Sequence, residues 1–78
     1  MEQLKTIKEL INQGDVAEAI RQLDEYLITD STDRDEAFYL LGNAYRKQGN
    51  WQLALNNYQY AIDLNPDSPA REASRMPS

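Results

Sequence analysis

Neither histidine nor cysteine occurs in this 78-residue chain, so the usual neutral-pH general base, the thiolate nucleophile and the commonest metal ligands are missing from the start. What remains with chemical potential is carboxylate, amide, guanidinium and phenol. The densest carboxylate group is Asp30, Asp33, Asp35 and Glu36. A calcium loop would need regularly spaced oxygen ligands around a central glycine, and neither feature is present, so helix capping and dipole complementarity are the expected roles. No glycine-rich phosphate cradle and no nucleophile–base pair can be assembled, and a non-catalytic chain without cofactor or metal is expected.

The charge balance narrows the partners. Thirteen acidic against eight basic residues give a net charge of −5, the wrong sign for neutralising phosphates or anionic lipid, so nucleic acid and membrane are both disfavoured. Residues 1–39 carry ten acids and four bases, residues 40–78 three acids and four bases. No apolar run approaches the roughly 20 residues of a membrane span, and no basic segment precedes an apolar stretch at the N-terminus. A soluble, cytoplasmic chain is expected.

The elements that position these groups are helices. Leu4, Ile7, Leu10 and Ile11 recur at the three- and four-residue spacing of one helical face. Gly14 interrupts the pattern, and Asp15 with Glu18 reads as a capping box opening a second helix at Val16. That helix carries Ala19, Ile20, Leu23, Leu27 and Ile28 before the polar stretch from Thr29 to Asp33. The signals then return: Asp33 with Glu36 as a second capping box, then Ala37, Phe38, Leu40, Leu41, Ala44 and Tyr45 on a third helix. Gly49 and Asn50 break it. A fourth helix from Trp51 to Leu64 must stop before Pro66, which lacks an amide hydrogen and restricts its predecessor. Ser68-Pro69 then reads as the start of a short fifth helix over 70–76.

The chain also repeats itself. At an offset of 35, Gly14 meets Gly49, Asp15 meets Asn50, Val16 meets Trp51, Ala19 meets Ala54, Ile20 meets Leu55, Leu23 meets Tyr58 and Leu27 meets Ile62. The first and third helices match better at 34, where Leu4 meets Phe38, Ile7 meets Leu41 and Ile11 meets Tyr45, which makes the first turn one residue shorter. Self-similarity at this period indicates stacked supersecondary units.

Residues 35–66 resemble the tetratricopeptide repeat. Its signature reads here as Phe38, Leu41-Gly42, Tyr45, Gly49-Asn50-Trp51, Ala54, Tyr58, Ala61 and Pro66. Gly42, Ala54 and Ala61 are the small residues where paired helices approach, whereas Tyr45, Trp51 and Tyr58 hold packing positions and are expected in the core. The first repeat is a poorer copy: Lys8 or Ile7 stands for the packing glycine and Tyr26 for the later alanine, as suits a terminal repeat with one free face. The resemblance implies an all-α fold, a short α-solenoid of helix-turn-helix pairs with repeats over about 1–32 and 33–66. Residues 67–78 would then start a capping helix or form a tail.

In this family the first helices of successive repeats line a concave groove that holds a peptide or partner protein. The matching positions are Glu36, Tyr39, Asn43, Arg46 and Lys47, with Leu4, Lys8 and Asn12 from the first helix. Asn43 offers a donor and an acceptor to a ligand backbone, Tyr39 a flat surface with a polar tip, and Arg46 with Lys47 favour an acidic group. A solvated face is the plainer role for the same polar residues. The clamp by which some members hold a chaperone's C-terminal carboxylate is not implied, because Leu4 and Leu40 fall on two of its polar positions. A second expectation is self-assembly: Leu53, Ile62 and Leu64 on the outer face of the fourth helix would pair with a second copy, giving a homodimer.

Overall fold

The structure is a computed structural model describing residues 2–30 and 32–75. Its helices are α1 (Glu2–Asn12), α2 (Val16–Thr29), α3 (Arg34–Lys47), α4 (Trp51–Leu64) and the single turn α5 (Ala70–Ala73), and no strand occurs among the described residues. The helix expected over 70–76 is shorter than that: it closes at Ala73, with Ser74 as its C-cap and Arg75 in a turn, and Met76 lies outside the described residues. Consecutive helices pair, and α3 packs on both α2 and α4, so the two helix pairs share one continuous interior. The thinnest dimension is 17 Å, the depth of about two helix layers.

Both intra-pair turns are built alike. Gly14 and Gly49 adopt φ of +89° and +80°, a region open to glycine without steric cost. Gly14 N–H donates to Ile11 O and Asp15 N–H to Leu10 O; Gly49 N–H donates to Arg46 O and Asn50 N–H to Tyr45 O. These two bonds form a Schellman ending that satisfies the last carbonyls of α1 and α3. The turns therefore have equal length, contrary to the shorter first turn expected from the apolar match. The 34-residue match reflects a stripe shifted around α1, which packs on α2 and α3.

Helix starts differ more. Asn50 caps α4, its side chain accepting from Leu53 N–H at 3.2 Å, whereas Asp15 and Asp33 make no side-chain cap bond. Neither expected capping box forms. Glu18 instead takes a bidentate grip from Arg21, at 3.0 and 2.6 Å, and a bond from Gln22. Asp33 sits in the left-handed region, φ 50°. The other carboxylates of this stretch serve local turns and helix ties: Asp30 accepts from the Thr32 amide and hydroxyl, and Asp35 accepts from Asn65 at 3.0 Å.

The core is continuous through α3. Leu4, Ile7 and Ile11 pack with Ala19, Leu23 and Tyr26 and with Ala37, Leu40, Leu41 and Ala44; Ala54, Tyr58, Ala61 and Ala70 form a second cluster, and Phe38, Tyr39 and Tyr45 touch both. A β-carbon added at Gly42 would overlap the Tyr58 ring, so glycine is required by close approach rather than by backbone angle. In the first repeat Ile7 and Tyr26 fill the equivalent space, both wholly buried. The Tyr26 hydroxyl reaches Thr32 O at 2.8 Å, satisfying its polar tip. Ile28, by contrast, is 84% exposed and takes no part in the core.

Candidate partner-binding groove

The parallel faces of α1 and α3 leave an open groove of about 490 Å³. Side chains one turn apart on a helix stand on one face. Tyr39, Asn43 and either Arg46 or Lys47 therefore line up along α3, and Lys8 and Asn12 along α1. All of these border the groove, with Leu40 and Ile11 as its floor. Glu36 stands in a neighbouring recess with Leu4, Lys5, Lys8 and Asp33, and Lys8 borders both.

Trp51 also borders the groove and is 40% exposed, which corrects its assignment to the core. As first residue of α4 it lies at the end of the helix pair, bordering the groove with Arg46 and Lys47. The other two aromatic packing positions are buried as expected from the signature, Tyr58 fully and Tyr45 in part.

Asn43 is half-buried, and its Oδ1 accepts from the Tyr58 hydroxyl at 2.6 Å. A carboxamide carries one acceptor and two N–H donors. With its oxygen accepting from Tyr58, the Asn43 amide keeps two N–H donors. Burial raises the pKa of the Tyr58 phenol; the neighbouring Arg46 guanidinium pulls the other way. The Tyr39 ring lies 6.2 Å from that of Tyr58, so three groove residues lean on one buried side chain.

On the opposite side, Leu53 and Leu64 are exposed while Ile62 is half-buried against the cluster that receives α5. Phe38 and Tyr60 meet with ring centroids 5.2 Å apart and planes tilted by 55°, with Arg34 over the Phe38 ring, and Leu64 borders the same shallow recess. No helix among the described residues is long and apolar enough to cross a membrane.

A family model, the tetratricopeptide repeat, matches residues 35–68. The solution NMR structure of the Bacteroides fragilis protein BF1650 superimposes with a TM-score of 0.91 at 66% identity, over 97% of this chain and 77% of that one. The chain belongs to the tetratricopeptide-repeat family. It is also similar to the photosystem I assembly protein Ycf3 of Synechococcus sp. strain CC9902, 41% identical over 61 residues. The Prochlorococcus marinus strain MIT 9303 protein of that name is 36% identical over the same length. These matches take in 76% of this chain but 35% of either relative, so the chain spans about a third of their length. TPR repeats mediate protein–protein interaction.

Proposed function

We propose that residues 1–66 form a two-repeat protein-binding module that holds an extended segment of a partner protein in the groove between α1 and α3. The supporting observation is that Lys8, Asn12, Tyr39, Asn43, Arg46 and Lys47 border one continuous depression whose central amide is held by a buried tyrosine. An amide that bonds main-chain groups provides affinity without demanding a particular side chain, and the flanking groups supply selectivity. The module acts by binding, without catalysis. The cyanobacterial relatives named for photosystem I assembly are consistent with a role in bringing proteins together. At a third of their length, however, only the repeat unit's contribution carries over to this chain.

Replacing Asn43 by alanine tests the reading. The variant keeps its helices and loses about tenfold or more in affinity for a partner segment, equivalent to about 1.4 kcal/mol. Unchanged affinity would move the binding surface elsewhere.

A second reading rests on the exposed apolar groups of α4, with Leu64 at 55% and Tyr60 at 51% exposure. Through Leu53 and Leu64, with Ile62 at the margin beside α5, this face would stack on a helix pair of a second copy. Light scattering across a concentration series distinguishes the two readings: a constant monomer mass removes the homodimer.

A further inference from the structure

The end of α4 lacks a cation. No lysine or arginine occurs between Gln48 and Ala70, and the one charged residue of α4 is Asp63. It stands in the last turn of that helix, where the partial negative charge of the free carbonyls disfavours a carboxylate, and no basic residue shares the turn. Gln59 Nε2 donates to its Oδ1 at 2.8 Å; Oδ2 has no partner among the described residues, whose ion pairs all belong to Arg21. Helix α2 ends differently. There Arg34 Nη1 donates to Leu27 O at 2.8 Å and to Asp30 O at 3.4 Å, placing a cation on the last carbonyls.

Asp63 borders a shallow recess of about 240 Å³ with Arg34, Phe38, Tyr60 and Leu64, none of which lines the groove between α1 and α3. Tyr60 and Leu64 are each about half exposed and sit beside the partly buried Phe38, so the recess offers an apolar surface to solvent. Its volume lies below the roughly 300–1,000 Å³ of cavities that enclose small molecules, and suits a single side chain. It is not a by-product of the repeat: at the 35-residue offset α2 has Glu25, Ile28 and Thr29 where α4 has Tyr60, Asp63 and Leu64. The α5 cation Arg71 and its neighbour Arg75 border other depressions. Of the two charges that border the recess, Arg34 is engaged by the α2 carbonyls and the Phe38 ring, which leaves Asp63 to meet an incoming charge of positive sign.

We propose that this recess is a second docking site, taking a segment of a partner protein in which a leucine or phenylalanine stands beside a lysine or arginine. The apolar side chain covers Phe38, Tyr60 and Leu64, while the cation pairs with Asp63 and offsets the negative end of α4. That pairing accounts for a carboxylate kept where its own helix disfavours it. The site shares no residue with the groove and is independent of the groove reading. A chain with both holds two segments at once, one between α1 and α3 and one at the end of α4.

The test is selection of a displayed random-peptide library on the chain, followed by ¹⁵N-resolved NMR and binding titrations of the enriched peptides on the parent, Asp63→Lys and Leu64→Ser. Both residues are exposed, so the variants fold, and circular dichroism checks it. Peptides with Lys or Arg beside Leu or Phe are expected to move the backbone amides of Tyr60 and Leu64 and to leave the Asn43 side chain in place. Their affinity should fall roughly tenfold on either variant and decline with added salt. Asp63→Lys should at the same time raise the thermal midpoint by a few degrees, because lysine suits a helix C-terminus. Weaker binding by a more stable protein is a result that a purely structural role for Asp63 would not give. If no enriched peptide moves Tyr60 and Leu64, the second site is overturned, and shifts at Asn43 and Trp51 alone would leave the groove reading standing. Acidic peptides that move Tyr60 and Leu64 and bind Asp63→Lys more tightly would overturn the basic partner. A mass that doubles with concentration for the parent but not for Leu64→Ser would give the recess to a second copy instead.

Discussion

The hydroxyl of Tyr58, wholly buried between α3 and α4, donates to Oδ1 of Asn43 at 2.6 Å, and through this bond the core of the second repeat sets the face that the groove presents. Tyr58→Phe keeps the ring and removes the bond. Its cost in stability is about 1 kcal/mol, the usual net worth of such a bond, read as a lower urea midpoint at unchanged slope. The freed amide can then turn, so the variant also binds a groove ligand several-fold more weakly. Asn43→Ala loses the same bond from the other side and leaves a buried hydroxyl unsatisfied, so it is the more destabilising of the two.

Gly42 is packed against the Tyr58 ring with no room for a β-carbon. Gly42→Ala is expected to cost about 1–3 kcal/mol through displacement of α4. Gly49→Ala meets no atom but must hold φ near +80°, at about 1–2 kcal/mol. Thermal unfolding followed by circular dichroism measures both. An unaltered midpoint for Gly42→Ala would contradict the close α3–α4 contact.

The two aligned helix starts, Asp15 and Asn50, separate on substitution. Asn50→Ala removes the bond to Leu53 N–H and costs about 1 kcal/mol. Asp15→Ala has no cap bond to lose; it forfeits only the interaction of its charge with the helix dipole, roughly half as much. Chemical denaturation of the pair shows whether the order holds.

These cases also show what was legible in the sequence. Apolar spacing located α1 to α4, because each helix must bury one stripe and Leu4, Ile7, Leu23 and Leu40 mark those stripes. Gly14 and Gly49 marked the turns because both need a positive φ. The groove-facing row from Tyr39 to Lys47 followed from helical period once the repeat was recognised. Side-chain choices that depend on competing partners were not legible. Asp15 and Asn50 are equally eligible caps, and only the three-dimensional turn selects Asn50. Glu18 was claimed by Arg21, one turn away. Trp51 occupies a packing position by pattern, but its place at the first residue of α4 leaves its ring beside the groove. The Tyr58–Asn43 bond spans 15 residues and has no local signature.

Two titrations carry opposite signs. The Arg21 guanidinium, with help from Gln22, lowers the Glu18 pKa from 4.5 to about 2. The charged form is thus favoured in the fold, and its contribution is present above pH 4.5 and lost as pH falls toward 2. Arg21→Ala is expected to return the Glu18 carboxyl toward its ordinary value in an NMR titration. Burial raises the Tyr58 phenol above 10.0; the unfolded chain then releases its proton first, and stability declines as pH rises past 10. Tyr58→Phe should flatten that alkaline limb.

The central claim is that a partner polypeptide lies between α1 and α3, and ¹⁵N-resolved NMR of the chain titrated with a bound peptide tests it most directly. The account predicts that the side-chain amide of Asn43, the indole N–H of Trp51 and the backbone amides near Lys8 and Asn12 move together with one affinity, while those of Leu53, Tyr60 and Leu64 stay in place. Shifts confined to the α4 face around Leu53 and Leu64, with Asn43 and Trp51 unmoved, would contradict it.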